Sequence, residues 1–271
     1  MGTQFVLLPS SAEELSVGTH STLSGLFPTN PALYSTSEAH PSLSFNRGVW
    51  LGDVTLARLG YNQSLKNKII HFGVKYSGIS NLEYRDHIPQ DNALSEFSAF
   101  GLALDAGISL SREHHKLGLS LSYLHMGLYT EHSKGLGMSF GYLYELKGGV
   151  KIGATLKNIG LMTTLISESP SLPTLLSLGL SKELKFNEYK NTVYGSLEVG
   201  KVNSKNKYYL GNQFKWNRLI ILGGFALYEK VMESSVGFGL SLNRYKVTYG
   251  IKSGTQNLGL PQIVSLMILI P

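Results

Sequence analysis

The chain has 271 residues, of which 15% are charged and 42% hydrophobic, with a formal net charge of +6 and no cysteine. So low a charged fraction is unusual in a soluble protein, and the absence of cysteine excludes thiol catalysis and cysteine-ligated metals. The lysines and arginines are scattered rather than gathered into the stripe that nucleic-acid binding needs, and no run of about 18 apolar residues would make a transmembrane helix.

Residues 1–40 stand apart from the rest. The opening "MGTQFVLLPSSAEELSVG" lacks a basic region followed by a long apolar one, so it does not read as a signal peptide; the expectation is that the sequence begins beyond a cleavage site. Pro9, Pro28 and Pro31 fall among many Ser, Thr and Asn, and "SSAEELS" is the only helical turn the pattern suggests. Asn30-Pro31-Ala32 forms a tight turn ahead of the first strand. The segment is too polar to cross lipid, and 1–40 is predicted to be a plug inside whatever 41–271 encloses.

From residue 42 onward strand-like stretches follow one another near 42–50, 52–62, 67–85, 96–112, 115–131, 134–147, 149–160, 173–185, 189–202, 206–216, 218–229, 232–243, 244–253 and 261–270. Polar turns such as "SREHHK", "TEHSKG" and "LNRYK" separate them. This gives about fourteen strands, with 67–85 either one long bent strand or two. Within a stretch the period is two. In "FSAFGLALDAGISLS", Phe100, Leu102, Leu104, Ala106, Ile108 and Leu110 alternate with Gly101, Ala103, Asp105, Gly107 and Ser109, so a strand carries large apolar groups on one face and small or polar ones on the other. The polar face of a soluble sandwich would be rich in charge; here it is mostly Gly and Ser. A transmembrane antiparallel β-barrel accounts for this, with the apolar face toward lipid and the small residues lining a narrow lumen. In lipid the sheet must also close, because an open edge would leave backbone groups unsatisfied.

The same alternation places Arg58, Lys75, Asp105, Glu145, Lys151, Lys157, Glu198, Lys246 and Lys252 on the lumenal face, where they pair with one another or grip the plug. Other motifs carry less. "GSLEVGKV" follows a phosphate-binding loop from Gly195 to Lys201 but has Val202 in place of the Ser or Thr that would hold magnesium, and it alternates as a strand does. His71, His114, His115 and His125 show no metal-ligand spacing. No catalytic constellation stands out, so neither enzyme activity nor a cofactor is expected.

The order of motifs resembles a known family. The opening from Phe5 to Val54, with Pro9, Ala12, Gly18, Asn30, Pro31 and Ala32 at their places, is similar to the start of the PorV/PorQ family of outer-membrane proteins, relatives of FadL-type channels. "FSAFGLALDAGISLS", "LGLSLSYLHMGL", "GVKIGATLKNIG" and "SLPTLLSLGLSKEL" continue the likeness along nearly the whole chain, while "SVGTHS" departs from the family's glycine-rich turn. The resemblance implies a FadL-like barrel of fourteen strands in the bacterial outer membrane, with its N-terminal segment as a lumenal plug. It implies a protein-binding component of type IX secretion or cell-surface attachment, partnered by membrane lipid and by secretion-system proteins or cargo signal domains. The alternative is a FadL-like channel for hydrophobic small molecules, which needs an apolar pocket and a lateral or plug opening. The polar connections 85–96 and 166–173 are the expected protein-binding loops.

Overall fold

The computed structural model describes residues 2–23, 29–33, 40–86, 91–201, 206–256 and 258–271. Among them lie fourteen strands: β1 Ser42–Trp50, β2 Val54–Leu65, β3 Lys68–Tyr84, β4 Ser95–Arg112, β5 His115–Leu128, β6 Glu131–Leu146, β7 Val150–Met162, β8 Leu175–Lys185, β9 Tyr189–Gly200, β10 Asn206–Trp216, β11 Leu219–Tyr228, β12 Val231–Leu242, β13 Tyr245–Gly254 and β14 Gln262–Leu269. Each pairs antiparallel with its chain neighbours, and β1 pairs with β14 from Ser42↔Leu269 to Val49↔Gln262, which closes the barrel. No helix among the described residues is long and apolar enough to cross a membrane; the strands do so.

Alternation decides which groups face where. On β4, Leu104 is 43% exposed on the outside while Ala99, Gly101, Ala103 and Ser109 are buried inside. Phe72, Leu121, Leu136, Leu210 and Val236 stand on the outer surface at 52–69% exposure. A continuous apolar surface of this extent is not tolerated in water and is the lipid-facing band of a transmembrane barrel.

The stretch predicted at 67–85 is a single strand, β3, whose register against β4 shifts between Ile79 and Leu82, where Asn81 takes a left-handed backbone (φ 60°). The segment expected at 52–62 begins later, at Val54, because Leu51–Asp53 form a helical turn with Gly52 at φ 68°. The connections sort by parity. Those at 66–67, 113–114, 147–149, 186–188, 217–218 and 243–244 lie at the rim where β1 starts and β14 ends. The longer ones, 85–94, 163–174 and 255–261, all lie at the opposite rim. Short periplasmic turns and long external loops are the rule for such barrels, so the second rim faces outward. Residues 87–90 of the expected binding loop 85–96 lie outside the described residues.

Candidate functional site in the lumen and barrel wall

The N-terminal residues are buried against the inner wall. Thr3 donates to the Ser171 carbonyl in the external connection (2.7 Å), and Phe5 packs with Ala103, Leu124, Met126, Met162 and Leu172. Pro9 lies in a cleft beside Asn46, Arg58 and Lys75. The short helix α1, Ala12–Val17, is capped by Ser11, whose hydroxyl accepts from the Glu14 amide (3.1 Å), and all six of its residues are buried. Gly18 ends it at φ 87°, and a side chain there would also strike Tyr209. Asn30 donates to the carbonyls of Ser21 (2.8 Å) and Tyr142 (3.0 Å) and accepts from the Ala32 amide (2.9 Å), which seats the turn Pro31–Leu33 against β4, β5 and β6. The path runs from the external end at Thr3 toward the opposite rim at Ala32.

The glycines of the inner wall now have a physical reason. A Cβ at Gly101 would lie 2.3 Å from the Phe5 ring, at Gly118 2.1 Å from Pro31, at Gly153 2.3 Å from Ser21 and at Gly237 2.2 Å from Ser16. Several are opposed in register: Gly118↔Gly141, Gly153↔Gly179, Gly211↔Gly224 and Gly237↔Gly250. Two backbones with no side chains between them let the segment lie directly on the wall.

The candidate charges fall into groups. Asp105 Oδ2 accepts from Arg58 (2.8 Å) and lies 2.6 Å from His71 Nε2, so its partners are on the neighbouring wall strands β2 and β3. Lys75 donates to the carbonyls of Val6 (3.2 Å) and Leu8, and Lys246 pairs with Glu13 (2.9 Å), so these two hold the N-terminal segment. Glu145 joins Lys151 (3.2 Å) and Lys116 (3.0 Å), Lys157 stands 3.9 Å from Glu198, and Lys252 meets Glu233 (2.7 Å), which also takes Lys207 (2.9 Å). His71, Lys116, Lys207, Glu233 and Glu13 were missing from the expected set of charges. The alternation that flags Lys75 also points His71 inward, four residues earlier on β3. Gly195–Gly200 of the phosphate-loop-like motif are part of β9.

His20 is fully buried, 2.7 Å from the Val17 carbonyl through Nε2 and 3.0 Å from Ser196 Oγ through Nδ1. Burial pulls its pKa from 6.5 down to about 4. The seated segment therefore binds fewer protons than a released one, and seating weakens as pH falls from about 6.5 to about 4, by about 3 kcal/mol when complete. Burial raises the Glu13 pKa, but the Lys246 ammonium more than offsets this and holds it below its ordinary value. That contribution is full above the ordinary carboxylate range and is lost below it, in the same direction. The expected result is a barrel in planar bilayers whose open probability rises as pH is lowered from 7 to 4, with the upper part of the rise missing in His20→Gln. A flat response across that window would refute the coupling.

Across β2–β6 one row of the inner face is built of small residues around Asp105. Gly60, Gly73, Asp105, Ser122 and Gly137 lie opposite one another in successive pairs. Over this row the outer face carries an apolar hollow of about 590 Å³ walled by Leu59, Phe72, Val74, Leu104, Leu121 and Leu136. Behind it, inside the barrel, lies a polar chamber of about 130 Å³ that Arg58, Lys75 and Lys157 border with Val6 and Leu8 of the N-terminal segment. Asp105, Ser122 and Gly137 line both spaces. Beside Gly137 the β6–β7 pairing is irregular: the register shifts between Met138 and Phe140, and Asn158 (φ 59°) donates its amide to Ser139 Oγ (3.2 Å). Pairing of β7 with β8 ends at Lys157↔Leu175, and the connection 163–174 comes alongside, with Asn158 donating to the Pro173 carbonyl (3.2 Å).

Neither a protein-family model nor a curated protein matches the sequence. The fold does have relatives among solved structures. The monoaromatic hydrocarbon channel CymD superposes with a TM-score of 0.68 at 12% identity, covering 97% of this chain and 98% of that one. The Pseudomonas putida toluene transporter TodX gives 0.67 at 13% identity, covering 95% and 97%. A Pseudomonas aeruginosa FadL homologue gives 0.61 at 8%, covering 96% and 98%. At these identities the likeness is one of fold: a FadL-like outer-membrane barrel. The finer expectation, PorV/PorQ and type IX secretion, draws no support from these relatives.

Proposed function

We propose that the chain is a bacterial outer-membrane channel for small hydrophobic molecules, with residues 1–40 as a plug in the 41–271 barrel, and that solutes leave sideways into the membrane through the small-residue row of the wall. The observation that carries this reading is that an apolar hollow on the lipid face and a chamber inside the lumen share Asp105, Ser122 and Gly137. An apolar solute gains roughly 25 cal/mol for each Å² it removes from water, so a lipid-side hollow draws it out of the chamber. The strands between the two spaces are hydrogen-bonded along the row, so passage requires them to part, and the irregular β6–β7 pairing beside Gly137 is where that costs least. Two of the fold relatives are described as transporting toluene or monoaromatic hydrocarbons, which fits this class of solute.

The test is uptake of labelled toluene into vesicles containing the barrel. A side chain at Gly137 is tolerated, since the nearest atoms to its Cβ would be Leu124 and Leu172 at 3.7 Å. Gly137→Leu should therefore fill the passage without unfolding the wall, cutting uptake at least roughly tenfold while the barrel keeps its heat-modifiable mobility. Unchanged uptake would sink the lateral route. A secretion role resting on the external connections 85–94 and 163–174 would show partner capture from native membranes and no toluene uptake in the unaltered protein.

A further inference from the structure

Near the external rim the outer face of β5 and β6 departs from the apolar pattern. Going toward the external rim, Leu117, Leu119, Leu121 and Tyr123 on β5 give way to His125, and on β6 Phe140, Met138 and Leu136 give way to Lys134 and His132. His125 lies directly opposite Lys134, and Gly127 directly opposite His132. The two imidazoles meet, with His125 Nε2 3.3 Å from His132 Nδ1, and both stand against Phe100, at 5.6 and 6.2 Å between ring centroids.

The arrangement is built rather than incidental. A Cβ at Gly127 would fall 2.5 Å from Phe100 and 3.0 Å from His132 Nδ1, so only glycine lets these rings converge. The backbone of Lys134 is fixed from the other side, its amide donating to Thr163 Oγ1 (2.9 Å) and its carbonyl accepting from the Thr163 amide (2.6 Å). Three basic side chains thus sit on the lipid-facing surface at the upper edge of the apolar band. A charge belongs there only if it meets the headgroup layer.

We propose that His125, His132 and Lys134 form a dock for a phosphate of lipid A, the phosphorylated glycolipid of the outer leaflet. This rests on the external placement of the rim bearing 85–94, 163–174 and 255–261, and not on the transport reading. A phosphate monoester offers several acceptor oxygens to the Lys134 ammonium and the imidazole N–H groups. The acyl chains of the same molecule run down beside Leu136 and Leu121, which bound the hollow over the small-residue row. A lipid bound here stands at the mouth of that hollow, and a free anion has no counterpart to its acyl contacts.

The experiment uses the full chain purified in detergent, with binding followed by native mass spectrometry. The probes are bis-phosphorylated lipid A, the same lipid after removal of its phosphates, and inorganic phosphate. The unaltered barrel should retain bis-phosphorylated lipid A at least tenfold more tightly than the dephosphorylated form, and excess inorganic phosphate should not displace it. His132→Gln/Lys134→Gln should lose that preference. Gly127→Ala, which pushes Phe100 and His132 apart and leaves every charge in place, should weaken it, and heat-modifiable mobility confirms that each variant is folded. Equal retention of the two lipids, an unchanged preference in the double variant, or displacement by inorganic phosphate would each overturn the proposal.

Discussion

A barrel lacking residues 2–33 conducts ions through an open bore, with a single-channel conductance several-fold above that of the full chain. This is the largest effect expected. The segment covers inner-wall residues from Phe5 over Gly101 to Pro31 over Gly118, and the glycines that receive it leave no side chains of their own to fill the space. What remains on the inner face is polar and charged, as in a water-filled channel. The same result is expected from within the full chain. In Gly237→Leu the new side chain begins 2.2 Å from Ser16 Oγ and 2.8 Å from Ser16 Cβ, so α1 is displaced. Recordings in planar bilayers decide the matter, and a deletion variant with the conductance of the parent would show that the segment does not obstruct the bore.

The second large effect concerns Asp105. Its carboxylate is shared by Arg58 and His71 across three adjacent strands, with side-chain exposures of 9% for Asp105, 13% for Arg58 and 1% for His71. Gly73, directly opposite Asp105, leaves room for the pair, since a Cβ there would lie 2.6 Å from Asp105 Oδ2 and 2.9 Å from Arg58. Removing one member of a buried ion pair costs about 3–5 kcal/mol, because the other charge loses its counter-ion, whereas an apolar replacement of both is close to neutral. Asp105→Ala should therefore lower unfolding stability in urea by about 3 kcal/mol, and Arg58→Met/Asp105→Leu should recover most of it. Because both partners lie on the wall, Asp105→Ala should leave the closed conductance state in place, unlike the deletion. An Asp105→Ala barrel within about 1 kcal/mol of the parent would mean that lumenal water screens the pair.

The parts of this structure that were legible in the sequence are those set by local period. Alternation alone puts Asp105, Arg58, Lys75 and Lys246 on the inner face, because a strand turns its side chains over every residue whatever it pairs with. The partners were not legible, because they depend on closure: Arg58 and Asp105 are 47 positions apart, and Thr248 and Glu13, whose side chains hydrogen-bond, are 235 apart. "SSAEELS" reads as a helical turn, yet nothing in those seven residues says that Glu13 will be delivered to β13. The small-residue row was hidden for the same reason. Gly60, Gly73, Ser122 and Gly137 look like any other inward small residues until the register lines them up with Asp105. The PorV/PorQ likeness rested on phrases such as "LKNIG" and "LPTLLSLG"; in the structure these are parts of β7 and β8 and the approach to β8, features a FadL-like barrel needs whatever it carries.

The opposed glycines also bear on how this chain can change over generations. Where the N-terminal segment lies on these glycines the wall has no side chain of its own to give up, so neither surface drifts alone. A methyl group gained at 237 has to be matched by loss of the hydroxymethyl group at Ser16, and a longer residue at 153 or 179 by a shift of the backbone at Ser21. Positions more than a hundred residues apart are thereby tied into co-varying sets, and a family of such sequences would carry, in its pairwise correlations, the track of the segment through the bore.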